Sequence, residues 1–213
     1  MSGIKNIEIQ GEPIVLLPER AVFWPSQKAI LVADLHIGKV GHFRKNGIAV
    51  PGKTEENNLW RLANTLLDYK PEIVYFLGDL FHSHHNAAWE KFVDFLNAFP
   101  KIRWVLVRGN HDILPSSKFE NAGISVMDRL ETGPFLLTHD REETALYNLH
   151  GHIHPGVSMK GLGRQRLSLP CFFFCETFGI LPSFGDFTGL FKLKPRRDDR
   201  VFVAIENSVV QVN

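Results

Sequence analysis

Five short apolar runs in this chain each stop at an aspartate, asparagine or histidine. ILVA leads into Asp34-Leu35-His36, IVYFL into Gly78-Asp79, and WVLVR into Gly109-Asn110-His111-Asp112. FLL leads into Thr138-His139, and the run beginning at Tyr147 leads into Gly151-His152-Ile153-His154. Apolar stretches of this length, closed by glycine or polar groups, read as buried strands. Polar residues at strand ends can meet along one rim, as ligand sites do in open α/β sheets.

The rest of the pattern agrees with that arrangement. Core strands are expected at 14–17, 29–33, 73–77, 102–107 and 135–138. Residues 54–69 place Leu59, Leu62, Ala63, Leu66 and Leu67 at helical spacing, and 87–99 do the same with Trp89, Phe92, Val93 and Leu96. After residue 135 the helical signal fades. Short runs at 147–150, 167–174, 201–206 and 209–212 then predict a second, mostly antiparallel sheet. The expected fold is α/β, with two facing sheets and helices outside. With 213 residues, 44% hydrophobic and 22% charged, and no repeat or linker, the chain reads as one domain over 1–213.

The net charge of +1 excludes a globally basic nucleic-acid coat but not a local basic track. No apolar stretch approaches the roughly 18 residues of a membrane span, and the N-terminus has no run of signal-peptide character. The two cysteines, Cys171 and Cys175, sit four apart in an extended segment, with Cα atoms about 13 Å apart and beyond disulfide reach. These features point to a reducing cytoplasm with no membrane association.

All ten histidines fall between His36 and His154, which suggests a shared use. Alternating positions of an extended segment face the same way. Asp34 with His36, and His152 with His154, can therefore each present two ligands to one point. Taken singly these signals are weak, since one histidine at a strand end is more often hydrogen-bonded than metal-bound. In this order, all at strand ends, they fit a dinuclear metal site.

The ordered motifs DxH, GD, GNHD, H and GHxH resemble those of the calcineurin-like metallophosphoesterase superfamily, over roughly 29–154. The resemblance implies a four-layer αββα sandwich of two mixed β-sheets flanked by helices, and two divalent metals. It implies that Asp34, His36 and His154 bind one ion, that Asn110, His139 and His152 bind the other, and that Asp79 bridges. His111 is then left for catalysis. A narrower resemblance rests on HIGKVGHFRKNGIAVP, GDLFHSHHN, LPCFFF and LPSFGDFTG. These are similar to bacterial metallophosphoesterases encoded beside a DNA ligase and a helicase and regarded as DNA-repair nucleases. The chain departs from them at Asp140-Arg141, where an acidic-proline pair is expected, and in the histidines crowded at His82, His84 and His85.

The chemistry follows from the donor set. Two divalent ions carry +4 against the carboxylates of Asp34 and Asp79, so the site stays net positive, attracts a phosphodiester and lowers the pKa of a bridging water toward hydroxide. Mixed nitrogen and oxygen donors suit Mn²⁺, the first choice, or Fe²⁺ or Zn²⁺, better than Mg²⁺. His111 is the candidate proton donor to the leaving oxygen. Asp112 either orients that imidazole or caps the following turn. Lys39, His42, Arg44 and Lys45 either grip flanking phosphates or form a solvated loop, and His82 is a candidate for the substrate cleft.

Residues 156–200 carry eight Lys or Arg against four acids, as a nucleic-acid track or a solvated face. Phe184, Phe187 and Phe191 either stack on bases or pack in the core. The expected function is a dinuclear phosphodiesterase, an endonuclease on single-stranded or damaged DNA, in functional association with ligase and helicase. The rivals are a superfamily phosphatase or nucleotide phosphodiesterase, and a non-catalytic scaffold on the same fold.

Overall fold

Three parallel strands of one sheet and three of another carry the site. The computed structural model describes residues 3–39, 54–82, 87–160, 166–186 and 188–213. His42, Arg44, Lys45, His84, His85 and Phe187 lie outside the described residues.

The first sheet contains, in spatial order, β1 (Lys5–Ile9), β2 (Glu12–Leu16), β3 (Val22–Trp24), β4 (Ala29–Val32), β5 (Ile73–Leu77), β6 (Arg103–Val107) and β7 (Ile124–Met127). Pairing is antiparallel up to β4 and parallel from β4 to β7. Parallel neighbours need crossovers, and those described contain α1 (Thr54–Tyr69), α2 (Ala87–Asn97) and α3 (Ser116–Asn121).

The second sheet contains β8 (Leu130–Thr132), β9 (Phe135–Leu137), β10 (Tyr147–His150), β11 (Pro155–Lys160), β12 (Arg166–Phe174), β13 (Phe178–Ile180) and β14 (Phe191–Lys192). It is completed by β15 (Arg200–Ile205) and β16 (Ser208–Gln211). Its order is β14-β11-β12-β13-β10-β9-β8, with β15 pairing β12 and β16 pairing β15. Most of its pairs are antiparallel, as expected. However, β9, β10 and β13 are parallel to one another, a feature that residue pattern alone does not encode.

The central strands are buried on both faces because each serves two layers. Ala29, Leu31, Ala33, Tyr75, Leu77, Val105 and Val107 point between the sheets, where they meet Phe135, Leu137, Leu149, Phe172 and Phe202. The alternate residues Ile30, Val32, Val74, Phe76, Trp104 and Leu106 pack with Leu62 and Leu66 of α1, Trp89, Phe92 and Leu96 of α2 and Phe119 of α3. A third cluster, including Val157, Cys171, Phe173 and Val203, occupies the other side of the second sheet. Among the described residues no helix belongs to that cluster; loop residues Ile153 and Leu193 pack on it instead. Two facing mixed sheets flanked by a few helices are the expected α/β architecture. No helix among the described residues is long and apolar enough to cross a membrane.

Phe135 is fully buried between the sheets, with its ring edge-on to Trp24 at 4.9 Å. Phe135→Ala is expected to cost about 3–5 kcal/mol of unfolding free energy, visible as a lower urea midpoint. A shift worth under about 1 kcal/mol would mean that this interface repacks freely.

Among the described residues of 156–200 the positive excess does not form an uninterrupted basic track. Lys194, Arg196 and Arg200 line a cleft of about 1000 Å³ beside the second sheet, interleaved there with Glu8, Asp198 and Asp199. Phe184 is fully buried in the core, while Phe191 is exposed.

Candidate metal centre

Parallel pairing decides where the polar strand ends go. The C-terminal ends of β4, β5 and β6 emerge together, carrying Asp34 and His36, Asp79, and Asn110 with His111. The ends of β9, β10 and β13 emerge together on the facing sheet, carrying His139, His152 with His154, and the segment from Leu181 onward. A parallel bridge between Ala33 and Ser183 joins the two groups of ends.

The backbone turns sharply at the same places. Asp34, His36, Asp79, His152 and His154 all have left-handed backbones, with φ of 53°, 52°, 52°, 70° and 50°. Each such non-glycine residue costs about 1–3 kcal/mol and persists only where its surroundings over-determine it. Here the two loops brace each other: Asp34 N donates to Gly78 O at 3.2 Å, His36 N to Asp79 O at 2.9 Å and Ile37 N to Leu80 O at 2.9 Å. Gly78 itself has φ 77°, and a Cβ there would lie 2.1 Å from His139 Nδ1, so glycine is required on both counts.

The turned residues, together with His139, form two triads, Asp34/His36/His154 and Asp79/His139/His152, each with one donor atom per residue within 4.8 Å of the others. In the first, His36 Nε2 and His154 Nε2 are 3.2 Å apart, and Asp34 Oδ1 is 3.6 Å from His154 Nε2. In the second, His139 Nε2 lies 3.0 Å from His152 Nδ1 and 2.9 Å from Asn110 Oδ1. Asp79 faces both: Oδ2 is 3.8 Å from His36 Nε2, and Oδ1 is 3.4 Å from His139 Nε2.

The ring partners orient these donors. His139 Nδ1 lies 3.1 Å from Leu77 O and His154 Nδ1 lies 3.2 Å from Gly189 O. A proton donated from Nδ1 to a carbonyl leaves the Nε2 lone pair free to ligate. His36 is held neutral, its pKa pushed far down by burial and by the neighbouring Lys39, His154, His82 and His111. Imidazole lone pairs that face each other at 3.0–3.2 Å repel unless a proton or cation lies between them. The donor set therefore fits two divalent ions, one per triad, with Asn110 beside the second and Asp79 between.

The remaining expected residues divide. The His111 backbone N–H donates to Asp79 Oδ1 at 2.9 Å, and its ring lies 4.0 Å from that of His82 and 5.9 Å from that of His36. Both His82 and His111 thus flank the first triad. Lys39 is half-buried and close enough for the charges of Asp34 and Asp79 to act on it, though burial is the larger influence and lowers its pKa.

Asp112 requires a correction. Its oxygens accept the backbone N–H groups of Phe81, at 2.9 Å, and Gly109, at 2.8 Å, rather than the His111 ring. Burial pushes its pKa up to about 6, against the lowering by those two bonds. Asp112 ties the Asp79 loop to the Asn110 loop, and so is a positioning residue. Sequence reasoning also missed the carbonyls of Leu77 and Gly189, and Ser183, whose hydroxyl donates to Asp34 O at 2.9 Å.

The model of the calcineurin-like phosphoesterase family matches residues 28–194, a stretch that contains every residue of both triads. The chain belongs to the calcineurin-like phosphoesterase family. Its structure is similar to the crystal structure of the Pseudomonas putida nuclease MPE, with 32% identity and a TM-score of 0.81, covering 99% of this chain and 100% of that one. It is also 34% identical over 88 residues to the DNA double-strand break repair protein Mre11 of Nanoarchaeum equitans. That match takes in 38% of this chain and only 22% of the length of the relative. The chain is accordingly a metal-dependent phosphoesterase.

Proposed function

We propose that this phosphoesterase is a dinuclear metal-dependent phosphodiesterase, an endonuclease acting on single-stranded or damaged DNA, with Mn²⁺ as its preferred ion. The observation that carries the substrate class is the end-to-end likeness to a nuclease at 32% identity. Two divalent ions would supply Lewis-acid stabilisation of the phosphoryl oxygens and a water acidified toward neutral pH. Asp34, His36 and His154 would hold one ion, His139, His152 and Asn110 the other, and Asp79 both.

The chain's own residues supply the rest. His111 stands beside the first triad and donates a proton to the departing sugar oxygen, which would otherwise leave as a strongly basic alkoxide. His82 packs against the His111 ring and helps to fix its orientation. Lys39 pairs with a phosphate of the bound strand. Lys39→Ala is expected to raise KM for DNA while sparing kcat, and to reduce the steepness of the dependence on log[salt] by about 0.7, the single-strand value for one phosphate contact. An unchanged KM and slope would remove Lys39 from the substrate path.

A comparison of bis(p-nitrophenyl) phosphate, p-nitrophenyl phosphate and circular single-stranded DNA, each with Mn²⁺, tests the substrate class. Cleavage of the diester and of circular DNA, with little monoesterase activity, is expected. A preference for the monoester would favour the phosphatase alternative. A cytoplasmic role in repair alongside a DNA ligase and a helicase belongs to the same proposal, supported by the text the chain shares with that group of phosphoesterases.

A further inference from the structure

The segment after β13 contributes no side chain to either triad, yet it holds two ligands of the first. Phe184 N donates to Ala33 O at 2.8 Å and Gly185 N to Asp34 O at 3.1 Å, and the Ser183 hydroxyl adds a second bond to Asp34 O at 2.9 Å. Further along, Gly189 O accepts from the His154 ring at 3.2 Å, and Phe191 N donates to His154 O at 3.0 Å. The second triad relies mainly on other parts: Leu77 O and Asn110 hold His139, and it meets this segment through the Asp34 carboxylate, which accepts from His152 N.

Ionic bonds hold the segment itself. The Asp186 carboxylate lies 2.5 Å from Arg20 Nη2 and 3.4 Å from Arg61 Nη1. Arg61 also donates to Phe184 O and, at 3.2 Å, to Asn58 Oδ1, and its guanidinium covers the Phe184 ring at 4.6 Å. Arg20 Nη1 reaches Ser183 O at 3.4 Å. The approach is close, since a Cβ on Gly185 would meet Leu35 O at 2.5 Å. A planar guanidinium that serves a carboxylate, a carbonyl and a ring at once cannot be replaced by an ammonium.

We infer that Arg20, Asp186 and Arg61 form a positioning clamp that presses the post-β13 segment onto Asp34 and His154 and so sets chiefly the affinity of the first cation site. The inference rests on the reading of the two triads as a dinuclear centre. Partners one step behind the ligands typically govern metal affinity by about 10–100-fold. The second site, which meets the clamped segment only through the bond from His152 N to the Asp34 carboxylate, loses far less.

The test is a titration of the metal-free protein with Mn²⁺, following the electron paramagnetic resonance signal of the free ion, on wild type, Arg61→Met, Asp186→Asn and Arg61→Lys. Wild type is expected to bind two ions. Arg61→Met and Asp186→Asn are expected to bind one nearly as wild type does and the other about 10–100-fold more weakly. Arg61→Lys should recover only part of the loss. Diffraction at the manganese edge should show the weakened peak between Asp34, His36 and His154.

Thermal melting and near-ultraviolet circular dichroism report whether each variant is folded. Should Arg61→Met not fold, Ser183→Ala, which deletes one bond to Asp34 O, must weaken the same site. Two wild-type affinities in folded Arg61→Met and Asp186→Asn would overturn the clamp, as would equal weakening of both sites. A wild-type protein that binds fewer than two ions would instead overturn the dinuclear reading on which the clamp depends.

Discussion

Asp79→Asn will leave a folded protein that binds fewer than two divalent ions and turns over about 10³-fold more slowly. The figure follows from Lewis-acid stabilisation worth several kcal/mol, at about 1.4 kcal/mol per decade of rate. The substitution is nearly isosteric. Asparagine keeps Oδ1 in place to accept the His111 N–H, a bond of 2.9 Å in the wild-type protein, so the loop geometry survives. What disappears is one of two carboxylates, and the one whose oxygens face His36 on one side and His139 on the other. Metal analysis by mass spectrometry on the purified variant, paired with a kinetic assay on the same sample, reads both effects. Two tightly bound ions together with unchanged kcat would refute the bridging role.

His111→Gln separates proton donation from metal binding. The ring contributes no atom to either triad, so both ions should remain, while kcat on DNA falls by about 10²–10⁴. The defect should depend on the leaving group. p-Nitrophenolate departs without a proton, so the loss on bis(p-nitrophenyl) phosphate should be much smaller than on DNA. Equal losses on both substrates would mean that His111 acts before the leaving oxygen departs, by binding the phosphate, and would reject the acid role.

The strands that deliver the first group of ligands are legible because burial on both faces writes an unbroken apolar run, as in β4, β5 and β6. Helices α1 and α2 are legible from their spacing. β1 is not, since KNIEI at a sheet edge alternates and carries charge, nor is β7, a short strand at the opposite edge. The parallel set β9, β10 and β13 joins residues that no local signal connects, so a mostly antiparallel sheet was the natural expectation from residue pattern.

The site residues stand out because aspartate and histidine at strand ends are chemically conspicuous. Asp112 is misleading for the same reason. Beside His111 it suggests an orienting carboxylate, but its bonds run to backbone N–H groups 31 and 3 residues away. The supporting segment after β13 is invisible for the opposite reason. Ser183, Gly185 and Gly189 act through carbonyls, amides and one hydroxyl, which leave little trace in residue type.

The convergence of strand C-termini on one rim also defines the edge where these strands begin. Lys70 and Lys101, both exposed, precede β5 and β6 there, each separated from the ligand loops by a five-residue strand about 17 Å long. Tethering the enzyme to a bead or a fluorophore through those amines would orient the rim that carries the two triads outward, toward the solvent.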